Sequence, residues 1–152
     1  MLSIALTLWV MLGAAYRYHL GCAGPLPRRL AWFAALAAAI GAAEEVAFRG
    51  FVQGSLRRHG IALAVVGAGL GHTAYKVALF VLPPPGLHVD LLPLALYTLA
   101  GSLLLGFTRE WGGGLVAPVL CHVLFDVVVY GDRSVVPPWV WATPGAMEIV
   151  WR

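Results

Sequence analysis

Three charged residues interrupt a long apolar stretch of this chain and constrain its fold more than any other feature. Glu44, Glu45 and Arg49 lie between Leu30 and Gly50, where the other residues are mostly Ala, Leu, Ile, Phe and Gly. A charge at membrane depth costs roughly 2.5 to 3.5 kcal/mol on insertion scales. Because three such charges are costly, we expect them to have a functional role.

The spacing of these charges predicts two different roles. On an α-helix Glu45 and Arg49 are four residues apart and share a face, whereas Glu44 is turned about 100° away. Arg49 can then neutralise Glu45 and leave Glu44 free. Adjacent carboxylates in a low dielectric resist joint ionisation, which suits one of them to general-base chemistry. The alternative is a structural Glu–Arg pair that clamps two helices, but that leaves Glu44 unexplained.

Composition indicates a membrane protein. The chain is 61% hydrophobic and 11% charged, with a mean hydropathy of +0.84, whereas soluble domains carry about 25% charged residues. The predicted fold is an all-α polytopic membrane bundle of about five or six transmembrane helices. It forms a single domain over residues 1–152, with the motifs between about 30 and 130. The net charge of +3 comes from arginines near span ends, which favours lipid headgroups and not nucleic acid.

Five spans can be assigned along the chain. The N-terminal one reads as a retained span and not as a signal peptide. Pro83 to Gly86 should end the third span, and Arg109 to Gly114 should form the turn after the fourth, which reads as scaffold. The apolar tail from Val135 to Trp151 is broken by prolines, which leaves a sixth span open. The predicted spans are Leu2–Tyr16, Leu30–Leu56, Ile61–Leu82, Leu91–Phe107 and Leu115–Tyr130.

Two further spans carry polar residues at comparable depth. The third has His72, with Lys76 one turn later, and the fifth has His122 and Asp126 four residues apart on one face. Counted from the turn between spans two and three, Glu44 lies about 20 Å and His72 about 17 Å along their helices. His122 lies about 11 Å into its own helix, and tilt can close the difference.

Each of these polar residues also has a structural interpretation. A lone histidine in an apolar span is more often a hydrogen-bonded packing residue than a catalyst. Asp126 can simply orient His122, and Lys76 can snorkel or pair with a lipid phosphate. Taken together, titratable groups that converge from separate helices are what hydrolytic chemistry needs.

The same residues resemble the motifs of the CPBP family, also called Abi or CAAX protease-like. The family includes the type II CAAX prenyl endopeptidases and is described as glutamic-type intramembrane proteases. The resemblance rests on EEVAFRG at residues 44–50, on His72 in the next helix and on His122 and Asp126 in a later one. Two residues depart from the usual pattern: Ala68 stands where Phe is common, and Asp126 stands where Asn is usual. The chain is also shorter than the family's eight-helix core.

The resemblance implies a catalytic mechanism. Glu44 would deprotonate a water held between it and His72, and this water would attack a peptide carbonyl. His122, oriented by or acting with Asp126, would stabilise the oxyanion, while Glu45 and Arg49 would hold the helix and tune Glu44. No cofactor is implied. One carboxylate and two histidines could still hold Zn²⁺, although no HExxH motif is present.

A non-enzyme is the competing prediction: a membrane immunity or binding protein, or a proton-coupled carrier. In such a protein the same buried charges would form a relay or a helix clamp, made of Glu44, His72, Lys76 and Asp126. For the protease, the expected substrate is a membrane-anchored protein or peptide. The expected location is the bacterial inner membrane, with several spans in the bilayer. The arginines near the span ends are almost evenly divided between the two sides and do not define an orientation. The sequence predicts no particular oligomeric state.

Overall fold

Five long helices build the part of the chain that a computed structural model describes, residues 2–82 and 89–132. We number them in chain order. Within these residues the structure contains no β-strand, in agreement with the predicted all-α membrane bundle. The helices are α1 (Leu2–His19), α2 (Trp32–Glu45), α3 (Ile61–Phe80), α4 (Leu91–Gly112) and α5 (Val116–Tyr130).

The helix that begins with α2 continues without a break to His59. A π-helical segment, Val46–Gln53, follows α2 directly, and an α-helical turn (Gly54–Leu56) and a 3₁₀ turn (Arg57–His59) complete it. Gly60 then reverses the chain at φ +113°, a backbone conformation that a side chain would strain. Such π-helical segments occur frequently at functional sites.

The bundle places the polar motifs between neighbouring helices. α5 packs against α1, α2 and α4, while α3 packs against α4 and against the π-helical segment. On the α1 side the core is apolar: Trp9, Leu105 and Cys121 form a buried cluster, and Trp9 meets Phe125 edge to face at 5.7 Å. The other side, between α2, α3 and α5, holds charged side chains.

The distribution of polar and apolar side chains is inverted relative to a soluble domain. Glu45 and Arg49 are completely buried, whereas Leu63, Leu70 and Leu92 are 52%, 53% and 68% exposed. Large aliphatic side chains over much of the outer surface are suited to lipid, not water. α3 and α4 are each long and apolar enough to cross a bilayer, and residues Leu2–Tyr18 and Val116–Tyr130 form shorter apolar helices.

A buried arginine ties the ends of α1 and α5 to the loop before α2. Arg17 is only 2% exposed, and each of its guanidinium nitrogens donates a hydrogen bond. Asp132 also accepts from the backbone amides of Arg28 and Arg29. We call this set of contacts the Arg17 network. The acceptors of Arg17 are the carbonyls of Gly24, Leu26, Val128 and Val129 and the carboxylate of Asp132.

The observed helices match the five predicted spans closely and differ from them by a few residues at their ends. The first helix runs past Arg17, which is buried and not a headgroup anchor. α4 extends to Gly112, so the turn is confined to the residues after it, starting at Gly113 in the left-handed region (φ +68°). The third helix ends at Phe80. The Pro83–Gly86 segment and the tail that could form a sixth span lie outside the described residues.

Candidate active site

Glu44 lies at the centre of a buried polar cluster between α2, α3 and α5. Its Oε1 accepts a hydrogen bond from Lys76 Nζ at 2.5 Å, and its Oε2 lies 3.2 Å from His72 Nε2. His122 Nε2 approaches the same Oε2 to 3.9 Å. The carboxylate is therefore surrounded by nitrogen atoms from two other helices.

His72 is held in one orientation by its neighbours. Arg49 Nη1 lies 2.9 Å from its Nδ1, and Ser102 Oγ is also 2.9 Å from that nitrogen. A guanidinium can only donate, so Nδ1 must accept and the ring proton must lie on Nε2. Nε2–H then donates to Glu44. Phe48 stacks on the imidazole at 4.7 Å with an angle of 22° between the rings.

Arg49 connects three helices from a completely buried position. Besides His72 it donates from Nη1 to Glu45 Oε1 at 3.0 Å and from Nη2 to the Ser102 carbonyl at 2.9 Å. Glu45, Arg49 and Gln53 are all 0% exposed. The three residues are spaced four apart and so share one face of this helical stretch, which faces the other helices.

His122 is oriented by Glu45. Its Nδ1 lies 2.8 Å from Glu45 Oε1, so the Nδ1–H donates to that carboxylate. This leaves Nε2 directed into the space between Glu44 Oε2, at 3.9 Å, and Asp126 Oδ2, at 3.8 Å. Neither distance is a hydrogen bond. Nε2 therefore remains available for another group.

Asp126 closes the cluster on the side of α2, where Gly41 makes room for it. A Cβ on Gly41 would lie 2.5 Å from Asp126 Oδ2 and 3.1 Å from His122 Cδ2. Only a glycine allows α2 and α5 to approach this closely here. We call the seven side chains the central cluster: Glu44, Glu45, Arg49, His72, Lys76, His122 and Asp126.

The structure brings together all six site residues predicted from the sequence, with two changes in their contacts. The sequence predicts a free Glu44, and this is wrong, because Lys76 and His72 both contact its carboxylate. Asp126 does not orient His122 through a hydrogen bond; Glu45 does. The pairing of Glu45 with Arg49 is as predicted.

Two contributors are not among the predicted catalytic residues. The sequence places Lys76 with Glu44 only in the alternative relay or helix clamp, although Lys76 follows His72 by four residues and so shares its helix face. Ser102 lies in the fourth span, which was read as scaffold because it has no charge in its interior. A single serine in an apolar helix gives no signal of this kind.

The cluster is buried but not sealed. The side chains of Glu44, His122 and Asp126 are 6%, 13% and 11% exposed, and that of Lys76 is 26% exposed. Access to Glu44 is therefore best on the Lys76 side. Among the residues that the structure describes, no group of three or more His, Cys, Asp or Glu is arranged to hold a metal ion.

Fold and site together define an integral membrane helical bundle with a buried carboxylate–histidine cluster. The family model described as type II CAAX prenyl endopeptidase Rce1-like matches residues 26–128. The match covers more than half of the chain and contains the whole central cluster, so the chain belongs to this family, as its motifs predicted. Comparisons with curated proteins and with solved structures gave no match.

Family membership supports a general activity. The family is one of endopeptidases, and it supports a protease of the CAAX type that acts in a lipid environment on a membrane-associated peptide.

Proposed function

We propose that this protein is a multi-pass, glutamic-type intramembrane endopeptidase that hydrolyses a peptide bond of a membrane-anchored protein or peptide. Glu44 is the general base, His72 its partner, and His122 with Asp126 the oxyanion site. We further propose that the reaction needs no metal and that the protein resides in a bacterial inner membrane.

One observation carries this proposal: the Nε2 atoms of two histidines from different helices approach the same oxygen of a buried carboxylate. His72 Nε2 lies 3.2 Å and His122 Nε2 3.9 Å from Glu44 Oε2. A structural clamp would need only one such partner. A base beside two imidazoles is the arrangement that activates a water and stabilises the resulting oxyanion.

We infer a position for the water from the distances around Glu44. Glu44 Oε2 and His72 Nε2 are in direct contact, which leaves no space for a water on the line between them. We therefore place the water beside the pair, on the side of His122. There it can donate its proton to Glu44 as it attacks the carbonyl carbon, and the same carboxyl can later protonate the leaving amine.

The oxyanion site is proposed from charge balance. Three carboxylates in the cluster, Glu44, Glu45 and Asp126, face two permanent cations, Arg49 and Lys76. Buried charges are expected to be paired, so one further proton should be shared in the region of His122 and Asp126. Either group then has a proton to donate to the developing oxyanion. A protonated Asp126 would therefore donate a hydrogen bond, as the amide of the usual Asn does.

A second candidate function is favoured by the Lys76–Glu44 contact. An ammonium 2.5 Å from the proposed base neutralises it, as would be expected in a binding or immunity protein or in a carrier that holds its charges paired. Such a protein would bind a ligand or conduct ions without cutting a peptide.

The test is cleavage of a panel of membrane-anchored peptides by the purified protein in lipid. The parent is compared with Glu44→Gln and His122→Ala, and with Glu110→Gln as a matched carboxylate variant outside the cluster. We expect cleavage by the parent and by Glu110→Gln, and losses of about 100-fold or more in the other two. Equal cleavage by Glu44→Gln, or ion flux without cleavage, would contradict the proposal. Loss of activity after chelation, with recovery on adding Zn²⁺, would contradict its metal-free part.

A further inference from the structure

Four buried side-chain atoms have no hydrogen-bond partner among residues 2–82 and 89–132, and they follow one another along the helix that continues α2. In order they are Glu45 Oε2, Arg49 Nε, Gln53 Oε1 and Arg109 Nε. A buried polar atom without a partner costs about 1 to 3 kcal/mol, so such atoms are usually bonded to ordered water. Four of them in one region indicate a common ligand.

The order of these atoms matches the hydrogen bonding of water. An acceptor, a donor, an acceptor and a donor alternate, and a water molecule can accept from an N–H while it donates to the next oxygen. Glu45, Arg49 and Gln53 are four residues apart, a rise of about 6 Å, which is close to two hydrogen bonds of about 2.8 Å. The Arg109 guanidinium comes next, because a Cβ on Gly54 would lie 3.5 Å from its Nη2. Single waters can therefore bridge the successive atoms.

Gln53 is held in the orientation that this arrangement requires. It is 0% exposed, and its Nε2 donates to the Gly106 carbonyl at 3.0 Å and to the Glu110 carboxylate at 2.9 Å. Because a carbonyl and an ionised carboxylate only accept, the amide oxygen and nitrogen cannot exchange places. An amide at position 110 would also accept this bond, so Glu110→Gln leaves Gln53 in place. Oε1 is therefore a fixed acceptor in the interior.

The four atoms lead from the buried cluster to an exposed end of the bundle. The exposed fraction of the side chain rises from 0% for Arg49 to 20% for Arg109 and 47% for Arg57. Trp111, two residues after Arg109, is 68% exposed and is typical of the interface between lipid and water. This end lies next to the start of α3, whereas Lys76 lies near the end of α3. It is therefore a second approach to the cluster, separate from the Lys76 side.

We propose that these four atoms bind a line of buried water molecules that connects the central cluster with the aqueous phase at the Arg57 end of the bundle. The inner end of this water line is at Glu45, whose other oxygen holds His122. The line thus reaches the side of Glu44 on which the attacking water is placed. This inference rests on the proposed function, because it makes the line the source of the water that the reaction consumes.

The water line would serve the reaction by keeping a water at Glu44. In each turnover one water oxygen bonds to the carbonyl carbon and the C–N bond breaks. One proton of that water passes through Glu44 to the leaving amine, and the other stays with the new carboxyl group. Waters in a hydrogen-bonded chain stabilise one another, so a break in the middle of the line should lower the occupancy of its inner positions.

The water line is tested by NMR of the protein labelled with ¹⁵N-arginine in lipid nanodiscs, which detects transfer of magnetisation from water to each Nε–H. We expect transfer to Arg49 and to Arg109. Arg17 is the internal control and should show none, because its Nε donates to the Gly24 carbonyl. Absence of transfer at both Arg49 and Arg109 would overturn the inference. This result needs only the parent protein and holds even if a variant fails to fold.

A variant in the middle of the line tests whether the waters are connected. Gln53→Leu replaces the acceptor with hydrocarbon of similar size. If the line fills from its exposed end, this variant loses water transfer at Arg49 and keeps it at Arg109. Thr108→Val is the matched control and should keep both, since the Thr108 hydroxyl is also buried but donates to a carbonyl of its own helix. Unchanged transfer at Arg49 in Gln53→Leu would show isolated waters and overturn the line.

Cleavage of a membrane-anchored peptide separates this inference from the proposed function. Gln53→Leu should lower kcat about five- to tenfold, the effect of losing about one hydrogen bond, and leave KM unchanged, whereas Thr108→Val should match the parent. If Gln53→Leu loses the water at Arg49 but keeps the parent's kcat, the line does not supply the reaction and the inference is wrong, while the protease assignment stands. If the parent cuts no peptide, the proposed function and the supply role both fail, and water transfer alone upholds or overturns the line.

Discussion

The central cluster and the Arg17 network both bury a guanidinium among apolar helices, but they satisfy its charge differently. Arg17 is bonded mostly to backbone carbonyls, and every one of its nitrogens donates. Arg49 is bonded mostly to titratable side chains, and its Nε and Glu45 Oε2 lack a hydrogen-bond partner within the described residues. The carbonyls cannot gain or lose a proton, and the titratable partner of Arg17, Asp132, lies outside the central cluster. The Arg17 network is therefore expected to hold helices together and to take no part in the reaction. The central cluster can exchange protons.

This difference shows that burial of a charge does not by itself indicate function in a membrane bundle. What distinguishes the two regions is the chemistry of the partners. The contrast predicts that variants of the Arg17 network should change stability alone, whereas variants of the central cluster should change the reaction.

The largest effect on stability is expected from Arg17→Met. Removal of one partner of a buried charged network typically costs about 3 to 5 kcal/mol, because the Asp132 carboxylate loses its charged donor and several carbonyls lose the N–H groups of Arg17. Denaturant unfolding in detergent micelles would measure this loss. Activity per folded molecule should stay within a factor of two or so of the parent. A large fall in that activity would break the distinction between the two regions.

A smaller effect, on activity, is expected from Glu45→Gln. The amide is a weaker acceptor for the Nδ1–H of His122, so the ring loses its fixed orientation. A misplaced catalytic group costs about 10- to 100-fold in rate, which steady-state cleavage would measure. Glu110→Gln is the matched control, since that carboxylate also accepts from arginines but lies outside the cluster. Equal effects of the two variants would show that Glu45 has no special relation to the reaction.

Gly41→Ala should affect both properties moderately. The added methyl group would lie 2.5 Å from Asp126 Oδ2, and overpacking of this kind costs about 1 to 3 kcal/mol. Relief of the clash moves Asp126 and His122, so cleavage should slow as well. Gly71→Ala is the control, because its methyl group would meet Phe48 at 3.8 Å, an ordinary contact. If Gly41→Ala were as harmless as Gly71→Ala, the close approach of α2 and α5 would be unnecessary.

The smallest effect is expected from Asp132→Asn, and it should depend on pH. Burial alone would raise the pKa of Asp132, but the hydrogen bonds from Arg17 and from the Arg29 and Arg28 amides hold this pKa below its ordinary value of 3.8. Because the folded-state pKa is the lower one, the stabilisation is fully present above pH 3.8 and is lost as the pH falls through the folded-state pKa. A partly exposed pair of this kind contributes up to about 1 kcal/mol. Unfolding curves of parent and variant should therefore converge in acid; a constant difference would contradict this account.

The fold could be predicted largely from the sequence, since apolar runs and helix breakers define the spans directly. The prediction that Glu44 and His72 face each other came from counting residues on either side of the turn that ends at Gly60. The π-helical segment could not be predicted, because the residues from Val46 to Gln53 give no local signal that distinguishes a π-helix from an α-helix.

The detailed contacts of the site were harder to predict from the sequence. The hydrogen bond between Glu45 and His122 depends on how α5 is rotated about its axis, which the contact at Gly41 determines. The sequence gives the face on which His122 and Asp126 lie, but not which carboxylate of α2 that face meets. For Lys76 the sequence allows snorkelling, a lipid phosphate, or a relay or clamp with Glu44, and the structure pairs it with Glu44.

The most direct test of the central claim is the rate of cleavage per folded molecule for Glu44→Gln, measured beside its stability and beside Arg17→Met in the same lipid. We predict that Glu44→Gln remains folded and loses about 100- to 10,000-fold in rate, while Arg17→Met loses stability but not the rate of its folded molecules. Full activity in Glu44→Gln would show that the central cluster, like the Arg17 network, only holds the helices together.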